Sequence, residues 1–480
     1  MPDLLYAIWP HITAAILLII DIWAASHAIL YKRDPRSATT WIGLIILFPV
    51  VGAVLYIFFG INRIQRRATH LRGRAPTALE PRHKEHTFTA PALAPEHQHL
   101  ASLALAVHRI SRAPLLNGNR VTPLQNGDEA YPAMLDAIAQ ATRSITLCSY
   151  IFDHDPTGIR FADALGQAVS RGVEVRVLID DVGARYSLPP IYSALNRRNI
   201  HYAVFMPTFF HWRMPYINLR NHRKILVVDG QTAFTGGMNI RHNNVLTAHT
   251  RDAVQDLHFR IEGPVVRQLQ QAFVEDWAFA TREQLAGEPW FVPLEPRGDI
   301  LARGIVDGPD EDHDKFRATL HTALACAQHR VRIATPYFLP DPSLVSALNT
   351  CSLRGVEVDI VIPKKCNLRA VGWATRAQLW QVLVRGCRVW LTPPPFDHTK
   401  LLIVDNAWSH IGSGNWDARS LRLNFEFNVE CYSPHLAAEL NARLDQKIAA
   451  AHPATLAELD ARPLPIRLRD GIARLFWPYL

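Results

Sequence analysis

One short pattern of residues is written twice in this chain of 480 residues, and an internal duplication of that kind calls for two copies of a single structural unit. His222, Lys224 and Asp229 recur as His398, Lys400 and Asp405 at identical spacing. Each set is followed by an asparagine, Asn239 or Asn415, seventeen residues after its histidine. Lysine is outnumbered several-fold by arginine, so chance is a poor explanation for two copies of so demanding a pattern.

The spacing has a physical reading. In Asn221–Asp229 the β-branched run predicts a buried strand, and residues two apart on a strand point to the same face, so His222 and Lys224 are neighbours. Asp229-Gly230 is a two-residue turn signal, after which Gln231–Thr235 runs back antiparallel. Gly236-Gly237 then lets the backbone bend and returns Asn239 beside His222. In the second copy Asp405-Asn406 is the turn, and Gly412-Ser413-Gly414 is the bend before Asn415. Each aspartate falls at the far end of its strand, seven residues at roughly 3.3 Å each from the histidine. Asp229 and Asp405 are therefore read as the structural members of the motif.

The repeat reaches well beyond the motif. Ser144–Phe152 parallels Val331–Phe338, and Arg171-Gly-Val-Glu-Val175 recurs letter for letter as Arg354-Gly-Val-Glu-Val358. Each half reads strand, helix, strand, then the histidine hairpin, with amphipathic helices such as Phe161–Ser170 and Pro342–Ser352. That alternation predicts an α/β fold, a sheet covered by helices. Two such sandwich halves most simply pack about a pseudo-two-fold axis and share one active site.

The N-terminus is of another kind. Leu4–Leu30 and Thr40–Gly60 each approach or exceed the roughly 20 apolar residues that span a bilayer, and they predict a transmembrane helical hairpin. The first run lacks a basic start and the second follows at once, which argues against a cleaved signal peptide. Asp21 is awkward there, since a carboxylate at the bilayer centre costs at least ~2.5 kcal/mol. Either it faces the second helix or the first segment lies shallow. The connection carries Lys32, Arg33 and Arg36, and the segment after the second run carries Arg63, Arg66, Arg67, Arg72 and Arg74. The heavier basic cluster stays cytoplasmic, which places the duplicated part on that side.

The expected organisation is two transmembrane helices over 1–61, a basic and Pro-rich linker over 62–100, a first half over 101–295, a second over 296–462, and a tail over 463–480. His83, His86, His97 and His99 are read as linker residues rather than metal ligands. The tail mixes Arg467, Arg469 and Arg474 with Leu475, Phe476, Trp477 and Tyr479. It fits either a membrane interface or a segment docked on the domain. Phe205–Tyr216, with Phe209, Phe210, Trp212 and Met214, lines an acyl-chain entrance or is ordinary core. A net charge of +8 and a pI near 9.3 favour an acidic partner, nucleic acid or anionic membrane. The six cysteines form no C-x-x-C pair, which suits buried thiols in a reducing compartment.

The doubled constellation suits a phosphodiester, whose anionic oxygens repel nucleophiles and whose alkoxide is a poor leaving group. Lys224 and Lys400, with amide donors from Asn239 and Asn415, cradle the non-bridging oxygens. One histidine, neutral, attacks phosphorus; the other, protonated, gives its proton to the departing oxygen. Neither metal nor cofactor is called for. Each imidazole needs an acceptor for its other nitrogen, and Asp256 and Glu426, which follow their respective histidines at comparable distances, are the candidates. Gly412-Ser-Gly414 lacks the third glycine and the strand-turn-helix context of a dinucleotide site.

The H-x-K-x4-D pair followed by G-G-x-N and G-x-N resembles the phospholipase D superfamily. Within it, Asn415-Trp-Asp417-Ala-Arg419-Ser420-Leu-Arg-Leu-Asn424-Phe-Glu426, Thr335-Pro-Tyr-Phe338, Val361-Ile-Pro-Lys-Lys365 and Arg260-Ile-Glu-Gly-Pro264 are similar to the bacterial cardiolipin synthases. That resemblance implies a phosphatidyltransferase. One phosphatidylglycerol forms a phosphatidyl-histidine at His222, with His398 protonating the departing glycerol. A second phosphatidylglycerol then attacks to give cardiolipin. It also implies a multi-pass protein of the bacterial inner membrane, with phosphatidylglycerol and anionic membrane lipid as partners and no nucleic acid. Val254-Gln255 stands where many relatives carry Trp-Arg, which leaves the acceptor open between phosphatidylglycerol, phosphatidylethanolamine and another alcohol. Water as acceptor would make the same residues a hydrolytic phospholipase D. A nuclease suits the charge but not the apolar segments, and a catalytically inert scaffold does not suit two intact constellations.

Overall fold

The computed structural model describes residues 2–32, 35–60, 91, 93–207, 219–309 and 314–477. Two compact units are present, Met1–Ala68 and Thr69–Leu480.

In the first unit the helix α1 (Pro2–Tyr31) contains a stretch, Trp9–Tyr31, long and apolar enough to cross a membrane. The second apolar run does not match it, so among the described residues there is one such helix and not the expected transmembrane hairpin. Pro49 has no N–H to continue a helix, and Val50 takes φ 67°, so the run breaks into α2 (Pro35–Leu47), α3 (Val51–Leu55) and a π-helical turn over Tyr56–Gly60. The break leaves the Val50 N–H without a helical partner. The Asp21 carboxylate accepts it at 3.0 and 3.2 Å, so the awkward acid of α1 caps the interrupted second segment. Arg33 and the basic cluster from Arg63 to Arg74 lie outside the described residues.

The second unit is built on one mixed sheet. The first half supplies β1 (Leu116–Gln125), β2 (Ser144–Ser149), β3 (Glu174–Asp180), β4 (Tyr202–Phe205), β5 (Ile225–Val228), β6 (Thr232–Gly236), β7 (Val254–Gln255) and β8 (Leu257–Glu262). From the second half come β9 (Ile300–Asp307), β10 (Arg330–Ala334), β11 (Glu357–Pro363), β12 (Arg388–Thr392), β13 (Phe396–Asp397), β14 (Leu401–Val404), β15 (Trp408–Gly412), β16 (Glu426–Tyr432) and β17 (His452–Pro453). Fifteen of these strands, among the described residues, run in the order 17-12-11-10-14-15-16-9-1-8-6-5-2-3-4. The order of one half is the reverse of the other about the antiparallel β1–β9 pair.

Strand alternation sorts the side chains into cores. Ile225 and Val227 of β5, with Leu401 and Ile403 of β14, enter one core that spans both halves. There they meet the helices α7 (Val266–Thr281) and α11 (Pro434–Ala449). Leu226 and Val228 point the other way, under α5 (Asn126–Gln140) and α6 (Pro156–Ser170). Leu402 and Val404 do the same under α4 (Leu100–Ser111), α8 (Lys315–Cys326) and α9 (Pro342–Leu353). Thus α4, which begins at the end of the linker, packs in the core of the second half rather than the first. Asp155 and Asp341 cap α6 and α9 by accepting backbone N–H groups, and the repeated Arg-Gly turns end those helices with Gly172 at φ 86° and Gly355 at φ 90°.

The tail forms α12 (Leu464–Leu475) against α10 (Arg369–Gln378), with Asp470 and Ala473 buried and Trp477 Nε1 donating to the Leu339 carbonyl at 2.7 Å. Its outer side leaves Leu464, Leu468, Ile472, Leu475 and Phe476 exposed. The tail is thus one helix, docked on one side and apolar and exposed on the other. Tyr479 and the aromatic cluster from Phe209 to Met214 fall outside the described residues.

Candidate active site

The two histidine hairpins fold as their turn residues dictate. Asp229 and Gly230 take φ 53° and 65°, and Asp405 and Asn406 take 49° and 54°, the pair of positive angles that closes a two-residue hairpin. Strands β5 and β6 pair from Ile225↔Thr235 to Val228↔Thr232, and β14 and β15 pair in the same way. The strands start later than the sequence suggests, because His222–Lys224 and His398–Lys400 lie ahead of β5 and β14 and outside any strand. Their backbones turn to the opposite half instead. The His222 N–H donates to the Phe425 carbonyl at 2.9 Å, and the His398 N–H donates to the Gln255 carbonyl at 2.7 Å. This places both histidines level with the carboxyl ends of β2 and β10, where open α/β sheets bind their ligands.

Those crossed contacts decide the acid partners. His222 Nδ1 lies 3.0 Å from Glu426, and His398 Nδ1 lies 2.8 Å from Asp256. Each histidine was expected to use the acid that follows it in its own half; the structure exchanges them. Phe425 and Gln255, which hold the histidine backbones, are the residues immediately before Glu426 and Asp256, so the register that brings one half to the other delivers its carboxylate too. Glu426 is held in turn by the Ser413 hydroxyl and by Asn424 Nδ2 at 3.3 Å. Gly237, the counterpart of Ser413, leaves room that Asp256 occupies: a Cβ built there would stand 2.4 Å from its Oδ1.

The lysines repeat one geometry. Lys224 Nζ donates to the His222 carbonyl and Lys400 Nζ to the His398 carbonyl, each at 2.6 Å. Asn239 Oδ1 accepts from the Ile151 N–H at 3.0 Å, which leaves its NH2 as the donor for a ligand. Asn415 Oδ1 is a buried acceptor without a partner among the described residues. Burial pushes His222 down to about 4, against the pull of Glu426 and in the same direction as Lys224 and Lys400. His398 is also pushed to about 4, by burial and Lys400. Burial lowers Lys224 to about 7 and Lys400 to about 8. Burial works to raise the carboxyl of Glu426, but the imidazole, Lys224 and the Ser413 hydroxyl hold it below the usual range. We read this pair as an ionised Glu426 orienting a neutral imidazole.

Asp229 and Asp405 sit away from this chemistry. Asp229 accepts the N–H groups of Thr142, Arg143 and Ser144 at 2.7 to 3.2 Å. Asp405 accepts those of Gln328, His329 and Arg330, all at 2.8 Å, and pairs with His99 at 2.7 Å. Most of the linker around His99 lies outside the described residues.

Several residues of the site were not picked out from the sequence. Tyr150 packs edge-on to His222 with centroids 5.1 Å apart, and Tyr337 approaches His398 at 6.2 Å. Both belong to the repeated strand segments, so the duplication itself carried the signal. Arg223, between His222 and Lys224, points to the opposite face, where it pairs with Asp276 at 2.7 Å and donates to the Glu426 carbonyl at 3.1 Å.

A doubled α/β half with a histidine, a lysine and an asparagine at the same place in each defines the phospholipase D-like class. The family model described as "Cardiolipin synthase, PLD-like domain" matches residues 134–277 and 320–448, and one described as "Phospholipase_D-nuclease N-terminal" matches residues 19–60. The chain is 30% identical to the major cardiolipin synthase ClsA of Bacillus subtilis (strain 168) over 98% of its own length and 99% of that protein. It is also 29% identical to the cardiolipin synthase of Geobacillus thermodenitrificans (strain NG80-2), over 94% of this chain and 90% of the other. Among solved structures, the phosphatidylserine synthase of Haemophilus influenzae Rd KW20 superposes with a TM-score of 0.62 at 16% identity. That match covers 79% of this chain and all of the other, and shares the fold. The chain belongs to the cardiolipin synthase family of phospholipase D-like proteins.

Proposed function

We propose that the protein is a membrane-anchored cardiolipin synthase whose two halves close on one phosphorus. The observation that carries this reading is the exchange of acids: each imidazole is oriented by a carboxylate of the opposite half, so neither half completes a histidine–acid pair alone. His222 Nε2, neutral at physiological pH, attacks the phosphorus of one phosphatidylglycerol. The bond from phosphorus to the glycerol oxygen breaks, and His398 supplies the proton that glycerol carries away. Lys224, Lys400 and the two asparagine side chains hold the non-bridging oxygens. The anionic phosphodiester also raises the proton affinity of both imidazoles above what burial alone allows, which loads His398 for its task. A terminal hydroxyl of a second phosphatidylglycerol then attacks phosphorus, its proton passes to His398, and the phosphorus–nitrogen bond breaks. The sum is two phosphatidylglycerols to one cardiolipin and one glycerol. Asp229 and Asp405 serve the hairpin turns.

On this reading the halves fall at 101–295 and 296–462, with α4, though it opens the first half in the chain, packed in the core of the second. Trp9–Tyr31 anchors the protein in the bacterial inner membrane, and the exposed apolar side of α12, with Arg467 and Arg474 beside it, rests in the headgroup layer. The basic cluster at Arg63–Arg74 and the cysteines, free in the folded chain, suit a catalytic part on the cytoplasmic side. The test is to incubate the purified protein with phosphatidylglycerol and identify products by mass. Cardiolipin with free glycerol supports transfer, and phosphatidic acid with glycerol in place of cardiolipin would make the protein a hydrolase.

A further inference from the structure

Beside the second histidine lies a cavity of about 1070 Å³, at the upper end of the range for small-molecule sites. Its walls come from α10, the loop after β11, the Pro393–Pro395 turn and the Arg251–Val254 segment of the first half. Phe396 and Val254 also line it, paired as neighbours on β13 and β7. The Phe396 ring in turn meets the His398 ring with centroids 6.0 Å apart. A molecule in the cavity is therefore one aromatic side chain from the second imidazole.

The charge of the cavity is one-sided. Arg251, Lys364, Lys365, Arg369 and Arg376 line it; Lys364 stands near enough to Glu458 to help His452 hold that carboxyl below its usual value, and the other four form no ion pair with a carboxylate among the described residues. Arg376 donates to a backbone carbonyl, that of Lys364, at 2.9 Å. Arg241 and Arg462 also line the cavity but are committed to Asp153 at 2.6 Å and Asp470 at 2.7 Å. Its acids are Asp252 and Glu458, and Glu458 is engaged by His452 at 2.7 Å. With cations in such excess over acids around one concavity, like charges repel one another, and an anion that enters relieves the repulsion. The reacting phosphate is already served by Lys224 and Lys400, so this is a second anion site.

We propose that the cavity receives the phosphodiester of the acceptor lipid and presents its terminal hydroxyl to the phosphatidyl group beside His398. The inference rests on the reading of the protein as a phosphatidyl transferase, and it names the acceptor's chemistry: an anionic headgroup bearing a primary hydroxyl. Phosphatidylethanolamine is disfavoured because its ammonium would enter among five cations. The glycerol of the donor does not use the cavity.

The experiment separates donor from acceptor chemistry in full-length protein carrying Lys365→Gln and Arg369→Gln together. Exchange of labelled glycerol into phosphatidylglycerol needs the donor site alone; cardiolipin formation needs both. Cardiolipin formation should fall about tenfold or more, the worth of a lost charge-assisted contact, with glycerol exchange kept within about twofold of wild type. In a His222→Ala background that cannot turn over, dihexanoyl-phosphatidylglycerol should bind as two equivalents, and as one once the cavity is neutralised. Equal loss of exchange and synthesis, or no loss of either, would overturn the proposal. So would a neutralised cavity that loses inorganic phosphate binding but keeps the second lipid equivalent, which would assign it to a free anion. Wild-type protein that yields phosphatidic acid and no cardiolipin would instead refute the transferase reading on which the proposal stands.

Discussion

At the level of single residues, the duplicated motif divides on the proposed function into groups that meet a phosphate and groups that hold the turn. His222→Ala or His398→Ala should each abolish product while leaving the fold intact by circular dichroism; near-normal turnover in either would contradict a joint site. Asp229→Asn and Asp405→Asn should act on stability instead, because each amide replaces acceptors of three backbone N–H groups with a partial donor, at about 1–3 kcal/mol. Denaturant midpoints of purified protein measure that loss. The carboxyl of Asp405 would be raised by burial, but the N–H groups of Arg330, Gln328 and His329 hold it below its usual value. Its contribution to stability is therefore present above the unfolded pKa and lost as pH falls through the lower folded one. Lysine chemistry limits the opposite side of the pH range. With Lys224 near 7 and Lys400 near 8 before substrate binds, kcat/KM should decline as pH rises through about 7 to 8, since an uncharged amine no longer attracts the phosphodiester. A kcat/KM profile flat from pH 6 to 10 would contradict the role given to the pair.

At the scale of elements, turn chemistry was legible in the sequence and partner choice was not. Asp-Gly and Asp-Asn announced the hairpins because so few residues accept two successive positive φ angles. The assignment of Asp256 and Glu426 to particular histidines had no such signal: exchanging both partners preserves the symmetry between the halves, so sequence separation cannot distinguish the two arrangements. Gly237 offers a test. Gly237→Ala would drive a methyl into Asp256 and displace it from His398, on the opposite half, so kcat should fall about 100-fold or more with the fold retained. The N-terminal break was written in the sequence as Pro49, inside a run whose overall hydropathy reads as one uninterrupted span. Asp21→Ala would strip the Val50 N–H of its acceptor in an apolar setting and should sharply lower the yield of folded protein extracted from membranes. Normal yield and normal detergent stability would show that the cap is dispensable.

At the scale of the whole molecule, the repeated segments foretold two α/β halves, and the strand order now shows how they join. One sheet runs through both, reversed about β1 and β9, and the core beneath α7 and α11 belongs to neither half alone. Sequence patterning could not reveal that continuity, because β1 and β9 lie at the start of their halves and nothing local says that they pair. Nor could it place α4, whose apolar face suits either core. The continuity explains how two polypeptide segments so far apart can exchange carboxylates with fixed register. On the proposed function the exchange makes a single reaction centre. That is tested most directly by mixing the His398→Ala protein with a phosphatidyl ester of p-nitrophenol, a leaving group that needs no proton, and counting both the burst of nitrophenol and the sites of attachment. One equivalent per chain, with the phosphatidyl group on His222, is the predicted result; no burst, or attachment at a residue other than His222, would contradict it.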